Sequence, residues 1–355
     1  MGEMLRYLAL DGTSVKDWST VMSSAYLLKL YQHMVLVRLY DKKAIALQRT
    51  GQLGTYPSHL GAEAIGIGTG AALEDHDTLI PYYRDMPVQW MRGVSMTHNL
   101  LYWGGDERGS DFPSLSGDFP FCVPIATQCT HAVGVATAMK LRHQRSAVLV
   151  NLGDGATSKG DFSESINLAG VWQLPVVFVI NNNQWAISVP RKLQSAALTL
   201  IDKAKGAGIP GVSVDGNDVI AVYDSVKEAL QRARRGLGAT VIEMHSYRLS
   251  DHTTADDASR YRPEEELKAA WQAEPLLRLK QYLINARLWT DSKQHEWEQS
   301  CGRVIEDAVA QYHATMPQAP ESAFDHLYAE LPQELHQQRD ALIQKAMRME
   351  ADNDG

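Results

Sequence analysis

The sequence predicts an α/β protein: a parallel sheet flanked by helices, with a helical C-terminal extension. Three observations carry that reading. Beyond Gln128, short apolar runs alternate with longer amphipathic stretches, the rhythm of βαβ units. The run Val176-Val-Phe-Val-Ile180 is apolar at every position, as a strand covered on both faces requires. From Pro263 onward the chain is rich in Glu, Gln, Arg and Lys at helical spacing, with Trp271, Trp289 and Trp297 as apolar anchors.

In chain order, residues 1–17 read as an irregular arm. Val21, Tyr26, Leu27, Leu30, Met34, Val37 and Ile45 recur at spacings of three and four, predicting a helix from Ser19 to Arg49 that Gly51 stops. Gly61 to Ala71 is built from small residues. A glycine-laden helix is intrinsically poor, so this one makes sense where backbones pack closely, either within the chain or at a subunit interface. Residues 104–124 concentrate Gly, Pro, Ser and Asp and read as a long loop. Helices follow at Ala132–Leu141, Asp161–Gln173 and Val219–Arg234. Strands fall at Ala147–Asn151, Val176–Ile180, Gly211–Val214 and Thr240–Met244. The predicted organisation is an arm and helix over 1–50, an α/β domain over 51–262 and a helical extension over 263–355.

Composition removes several function classes. The 355 residues carry 34 Lys+Arg against 42 Asp+Glu, a formal net charge of −8. A nucleic-acid partner needs a basic face and is not expected. Cys122, Cys129 and Cys301 form no CxxC pair and read as reduced thiols. No apolar run approaches the roughly 20 residues of a membrane span. The start MGEMLRYLAL lacks the pattern of a signal peptide, so a cytoplasmic location and no membrane partner are expected.

The chemistry concentrates in Gly153-Asp154-Gly155 and Asn182-Asn183, with residues 156–181 between them. Each lies just past the end of a predicted strand. If Asp161–Gln173 is the crossover helix, the strands are parallel neighbours and both motifs emerge at one sheet edge. That edge, outside the strand carboxyl ends, is where open α/β sheets bind ligands. An Asp carboxylate, an Asn amide oxygen and a backbone carbonyl are hard oxygen donors suited to Mg²⁺, which phosphates and water usually complete. Glycines beside Asp154 let backbone approach a phosphate, and the next helix start offers free N–H groups. The pattern therefore reads as a Mg²⁺-diphosphate site. Ser158 breaks a GxGxxG fingerprint, and Asp161-Phe162 stands where a P-loop needs Lys-Ser/Thr.

The run from Gly153 to Gly170, continued by Asn183-Gln-Trp-Ala-Ile-Ser-Val-Pro190, resembles the alpha subunit of the decarboxylating component of 2-oxo-acid dehydrogenase complexes. Val37-Arg-Leu-Tyr-Asp41, Leu60-Gly-Ala-Glu-Ala64, Tyr82-Tyr-Arg-Asp85 and Asp251-His-Thr-Thr to Tyr261-Arg262 match that family's landmarks in order, over roughly residues 25–345. The resemblance implies a thiamine diphosphate-binding fold with Mg²⁺ held by Asp154, Asn183 and the carbonyl of Trp185. It implies diphosphate contacts from Tyr83, Arg84, Gly155, Ala156 and His252, and aminopyrimidine contacts from Val123 and Ile125. His252 would assist proton transfer as the acyl group moves to a lipoyl arm, a task suited to an imidazole near its ordinary pKa of about 6.5. Tyr56 is either a substrate-pocket residue or a plain core tyrosine.

Three positions depart from the family pattern: Ala62 for a Gln, Trp185 for a Tyr or Phe, and Thr253 for a regulatory Ser of mitochondrial members. The family's activating glutamate has no assignable counterpart here; the resemblance places it on a separate beta subunit and so implies an α₂β₂ heterotetramer with the cofactor at the α/β interface. Gly61–Ala71 and the Trp-bearing helices are candidate contact surfaces with that subunit. The further partner implied is a lipoyl-bearing acyltransferase. Pyruvate is the leading substrate, with branched-chain 2-oxo acids as alternative. A non-catalytic scaffold is disfavoured because Asp154, Asn183, Arg84 and His252 are all present, and a Mg²⁺ phosphohydrolase because no nucleophile motif accompanies the site.

Overall fold

The computed structural model describes residues 4–112 and 117–353, with side chains to residue 349. Residues 113–116 of the predicted 104–124 loop, and the last two of the extension, lie outside the described residues. The chain divides into two compact units, Met1–Val309 and Ala310–Gly355.

In the first unit the helix α1 (Ser24–Arg49) begins later than the periodicity suggests, because Ser23 caps it. The Ser23 hydroxyl accepts the Tyr26 N–H at 3.2 Å. The chain turns away after Thr50 at Gly51, where φ is +75°. Helix α2 (Glu63–Ala72) is the small-residue segment, and it is buried almost throughout. A Cβ on Gly68 would stand 2.6 Å from Val222, and one on Gly70 2.6 Å from Met91. The close approach of these glycines is therefore to neighbours in the same chain.

The strand β1 (Thr78–Ile80) and helices α3 (Met86–Met91) and α4 (Met96–Gly104) follow. Next come α5 (Thr127–Leu141), β2 (Val148–Gly153), α6 (Gly160–Val171) and β3 (Val176–Asn182). A small antiparallel pair, β4 (Trp185–Ala186) with β5 (Val189–Pro190), leads into α7 (Arg191–Gln194) and α8 (Ile201–Gly206). The sheet is completed by β6 (Gly211–Asp215), α9 (Val219–Arg234) and β7 (Thr240–His245).

The sheet order is β1-β2-β3-β7-β6, and every pairing is parallel. All of β3 is buried, as its unbroken apolar run demands. The predicted parallel α/β class and the β2-α6-β3 crossover are both present. The arm is not loose where described. Leu5 pairs with β6 through Leu5 N–H to the Ser213 carbonyl at 2.9 Å, and the amides of Tyr7 and Leu8 both donate to Asp218 at 2.7 Å.

The C-terminal region is helical as predicted: α10 (Glu264–Gln272), α11 (Pro275–Asn285), α12 (Asp291–Ala314) and α13 (Gln333–Asn353). The tryptophans anchor to α1 of their own chain rather than waiting for a partner. Trp297 donates its indole N–H to the Gln32 carbonyl at 3.0 Å, and Trp289 meets Tyr31 edge-on at 5.8 Å. Trp271 lies 5.6 Å from the Arg38 guanidinium. Among the described residues, no helix is long and apolar enough to cross a membrane.

Candidate active site

The register of the two central strands places the chemistry. Gly153 at the end of β2 lies opposite Asn181 of β3, so the chain leaves both strands at one level of the sheet edge. From β2 it enters a 3-10 turn, Asp154–Ser158, that buries Asp154 to 1% exposure. One oxygen of that carboxylate accepts the Gln194 side-chain N–H at 2.9 Å. Burial pushes the carboxyl above its ordinary value, opposed by this bond and by the charges of Arg248 and Arg191. Gly155 is required here: a Cβ would stand 2.6 Å from the Ala186 Cβ, pushing the turn off β4.

From β3 the chain reaches Asn183, whose side-chain oxygen accepts the Trp185 N–H at 3.1 Å. Gln184, at φ +72°, makes the turn between them. The Trp185 carbonyl faces Arg248 Nη1 at 3.4 Å.

The opposite wall comes from the segment after β1 and from the 250s loop. Arg84 is buried, and its Nη1 donates to the Ser58 carbonyl at 2.7 Å. Its Nη2 donates to the His252 carbonyl at 2.5 Å and to His252 Nδ1 at 3.0 Å. Arg248 Nη1 faces the same Nδ1 at 3.4 Å. A guanidinium only donates, so Nδ1 is the acceptor and the neutral ring carries its proton on Nε2. Burial first, then the two arginines, pull His252 down to about 3, against a smaller opposing pull from Asp256. The expectation of a ring titrating near its ordinary value is thereby corrected: with these neighbours it stays neutral at physiological pH. The loop holds itself together, with His252 N–H on Asp256 Oδ2 at 2.8 Å and Ala258 N–H on Asp251 Oδ1 at 2.9 Å.

These groups enclose a cavity of about 290 Å³. It is lined by Tyr83, Arg84, Ile125, Asp154, Gly155, Ala156, Asn183, Trp185 and His252, all singled out from sequence. Val123 is half exposed and lies outside the lining. Tyr56 also lies outside it: the side chain is 1% exposed, and its hydroxyl donates to Asp41 at 2.5 Å. The structure places Tyr56 in the core, not on the cavity wall. Sequence reasoning missed Arg248, which reaches Trp185 and Ile187, and Gln194, which reaches Asp154, because those partners are remote in the chain. Cys122, expected only to pack, lines the cavity. A larger opening of about 780 Å³ shares Trp185 but includes none of Arg84, Asp154, Asn183 or His252.

The donor set fits a hard divalent cation. Asp154, Asn183 and Trp185, which carry a carboxylate, an amide oxygen and a main-chain carbonyl, all line the cavity, and among the described residues there is no group of three His, Cys, Asp or Glu to form an all-protein cage. A cation held by so few ligands would be completed by phosphate oxygens and water, the manner in which Mg²⁺ binds. The facing wall supplies Arg84, with five N–H donors and a permanent charge.

A parallel sheet with Gly-Asp-Gly and Asn-Asn at adjacent strand ends defines the class, and sequence comparison agrees with it. Residues 31–321 match the dehydrogenase E1 component family, and the chain belongs to that family of thiamine diphosphate-dependent oxidoreductases. It is 38% identical over 346 residues to the pyruvate dehydrogenase E1 component subunit alpha of Staphylococcus aureus strain Mu50, covering 97% of this chain and 93% of that one. The subunits of the same name from Staphylococcus epidermidis and from S. aureus strain MRSA252 are 38% and 37% identical over the same spans.

Proposed function

We propose that this chain is the alpha subunit of a pyruvate dehydrogenase (acetyl-transferring), oxidatively decarboxylating pyruvate and acetylating the lipoyl group of an acyltransferase partner. The observation that carries this is that the sequence-assigned residues other than Val123 and Tyr56 line one cavity at the β2 and β3 ends. In this reading Asp154, the Asn183 side chain and the Trp185 carbonyl hold Mg²⁺. Tyr83, Arg84, His252 and the backbone at Gly155 and Ala156 receive the diphosphate, while Ile125 and Val123 lie toward the aminopyrimidine. Thiamine diphosphate, when bound, supplies a carbon nucleophile for the keto carbon and an electron sink for loss of CO₂.

The chain's own contribution is positioning and charge. Asp154 brings a buried negative charge that favours the cation, and Arg84 brings a fixed positive one for phosphate oxygens. His252 offers an Nε2–H as donor, with its orientation set by Arg84 and Arg248. Among the described residues no glutamate lines the cavity, and in this reading a beta subunit completes the site in an α₂β₂ heterotetramer; the proposed location is the cytoplasm.

The test is decarboxylation of pyruvate against 3-methyl-2-oxobutanoate by the chain co-expressed with a beta subunit, with Mg²⁺ and thiamine diphosphate. Preference for pyruvate is expected. Preference for the branched acid moves the assignment within the family, and inactivity on both sinks the catalytic reading.

A further inference from the structure

Residues 58–62 and Arg84 are joined by bonds that run in both directions. The Arg84 guanidinium donates to the Ser58 carbonyl at 2.7 Å. In return the His59 ring lies against the Arg84 carbonyl, with Nδ1 2.7 Å from the oxygen. At the ring's other end Nε2 stands 2.6 Å from the Ala62 carbonyl, at the start of α2. Both neighbours are main-chain oxygens, which accept and never donate. A neutral imidazole has one N–H, so it would leave one contact as lone pair against lone pair. Only a ring protonated on both nitrogens satisfies both.

One carboxylate, Glu63, favours a charged ring at this position. His59 is 3% exposed and Glu63, on α2, is fully buried. Asp41, on α1, accepts the His59 main-chain N–H at 2.8 Å and the Ser58 hydroxyl at 3.0 Å. Burial is the strongest influence and, with the Arg84 guanidinium, draws the ring below its ordinary value against the opposing pull of Glu63 and the two carbonyls. The charge on the ring rests on the two carbonyl contacts alone. The ring occupies space that α2 leaves open, since a Cβ on Gly66 would stand 2.7 Å from Nε2.

We propose that His59 is a buried imidazolium and a positioning residue: it holds the Arg84 main chain through Nδ1 and the start of α2 through Nε2, and so fixes where the Arg84 guanidinium enters the cavity. His59 itself does not line the cavity. The effect on the cofactor rests on the function proposed above, in which Arg84 receives the diphosphate; the charge state of the ring does not.

Two measurements test it. The first follows histidine Cε1 resonances of the full chain by ¹H–¹³C NMR, with His59 assigned from the spectrum of His59→Gln. The imidazolium position is expected unchanged from pH 5 to 8; a neutral shift, or a midpoint near 6.5, overturns the charge assignment. The second measures half-saturating thiamine diphosphate for the assembled alpha–beta enzyme carrying His59→Gln or His59→Phe. Loss of a charged hydrogen bond predicts a rise of roughly tenfold or more for His59→Phe, a smaller rise for His59→Gln, and kcat at saturating cofactor within about twofold. A merely structural role would lower thermal stability and leave half-saturation unmoved, and that result overturns the positioning role. If the wild-type enzyme shows no response to thiamine diphosphate, the proposed function has failed, and the NMR result alone then decides the clamp.

Discussion

Arg84 Nη2 donates to His252 Nδ1 at 3.0 Å, and this contact decides which nitrogen of His252 carries the proton. Arg248 approaches the same atom at 3.4 Å, so two permanent cations face one lone pair. The ring is therefore expected as the Nε2–H tautomer from pH 5 to 8 in ¹⁵N spectra of the histidine-labelled full chain. A titration midpoint near 6.5 would contradict it.

The same shift has a signed effect on stability. His252 sits near 3 in the folded protein against about 6.5 unfolded, so on acidification the unfolded chain takes up this proton first. The stability it contributes is full above about pH 6.5 and is lost as pH falls toward 3. His252→Gln should flatten the pH dependence of the urea midpoint between pH 6 and 4, and an unchanged slope would count against the shift. In the assembled enzyme His252→Ala should keep cofactor binding but impair lipoyl acylation. Wild-type activity of the complex would remove His252 from the reaction.

Asp154→Ala removes the sole carboxylate of the proposed metal ligand set. Thiamine diphosphate binding to the assembled enzyme should fall below calorimetric detection while far-UV circular dichroism stays unchanged. Unchanged affinity would show that the ligand set is wrong.

Gly155→Ala forces a methyl group against Ala186. Displacing the turn should weaken cofactor binding roughly tenfold or more, in line with the cost of overpacking a tight contact. Because Ala186 supplies the opposing Cβ, Gly155→Ala combined with Ala186→Gly should recover much of the loss. Failure of that pair to recover, in the same titration, would place the glycine requirement elsewhere.

Arg38 donates to Glu63 at 2.5 Å and to Glu274 at 2.7 Å, joining α1, α2 and the capping residue of α11. Arg38→Ala strands two carboxylates in the interior and should cost about 3–5 kcal/mol of unfolding free energy by urea titration. A loss below about 1 kcal/mol would mean that the pairs behave like solvated surface bridges.

The parallel sheet was legible because buried strands between amphipathic helices leave a clear periodicity: α9 falls at Val219–Arg234 as its pattern predicts. The three-residue β1 and the short α3 and α4 carry too few residues for any period, so their form depends on tertiary packing. The motifs at Asp154 and Asn183 were readable because each sits within a few residues of a strand end. Arg248 was not, since its meaning lies in contacts to Trp185 and Ile187, which are near only after folding. His59 was silent for the same reason. Between Tyr82 and His252 the sequence suggested which residues meet, but not their protonation, which comes from burial and from which atoms face each other.

Asp41 belongs to α1, yet it grips Tyr56, Ser58 and His59, and Ser58 in turn receives Arg84. Random mutagenesis selected for altered thiamine requirement would therefore return hits along one face of α1, from positions that never meet the vitamin. Auxotroph-style screens of this chain would need to map those hits onto the helix before counting them as contact residues.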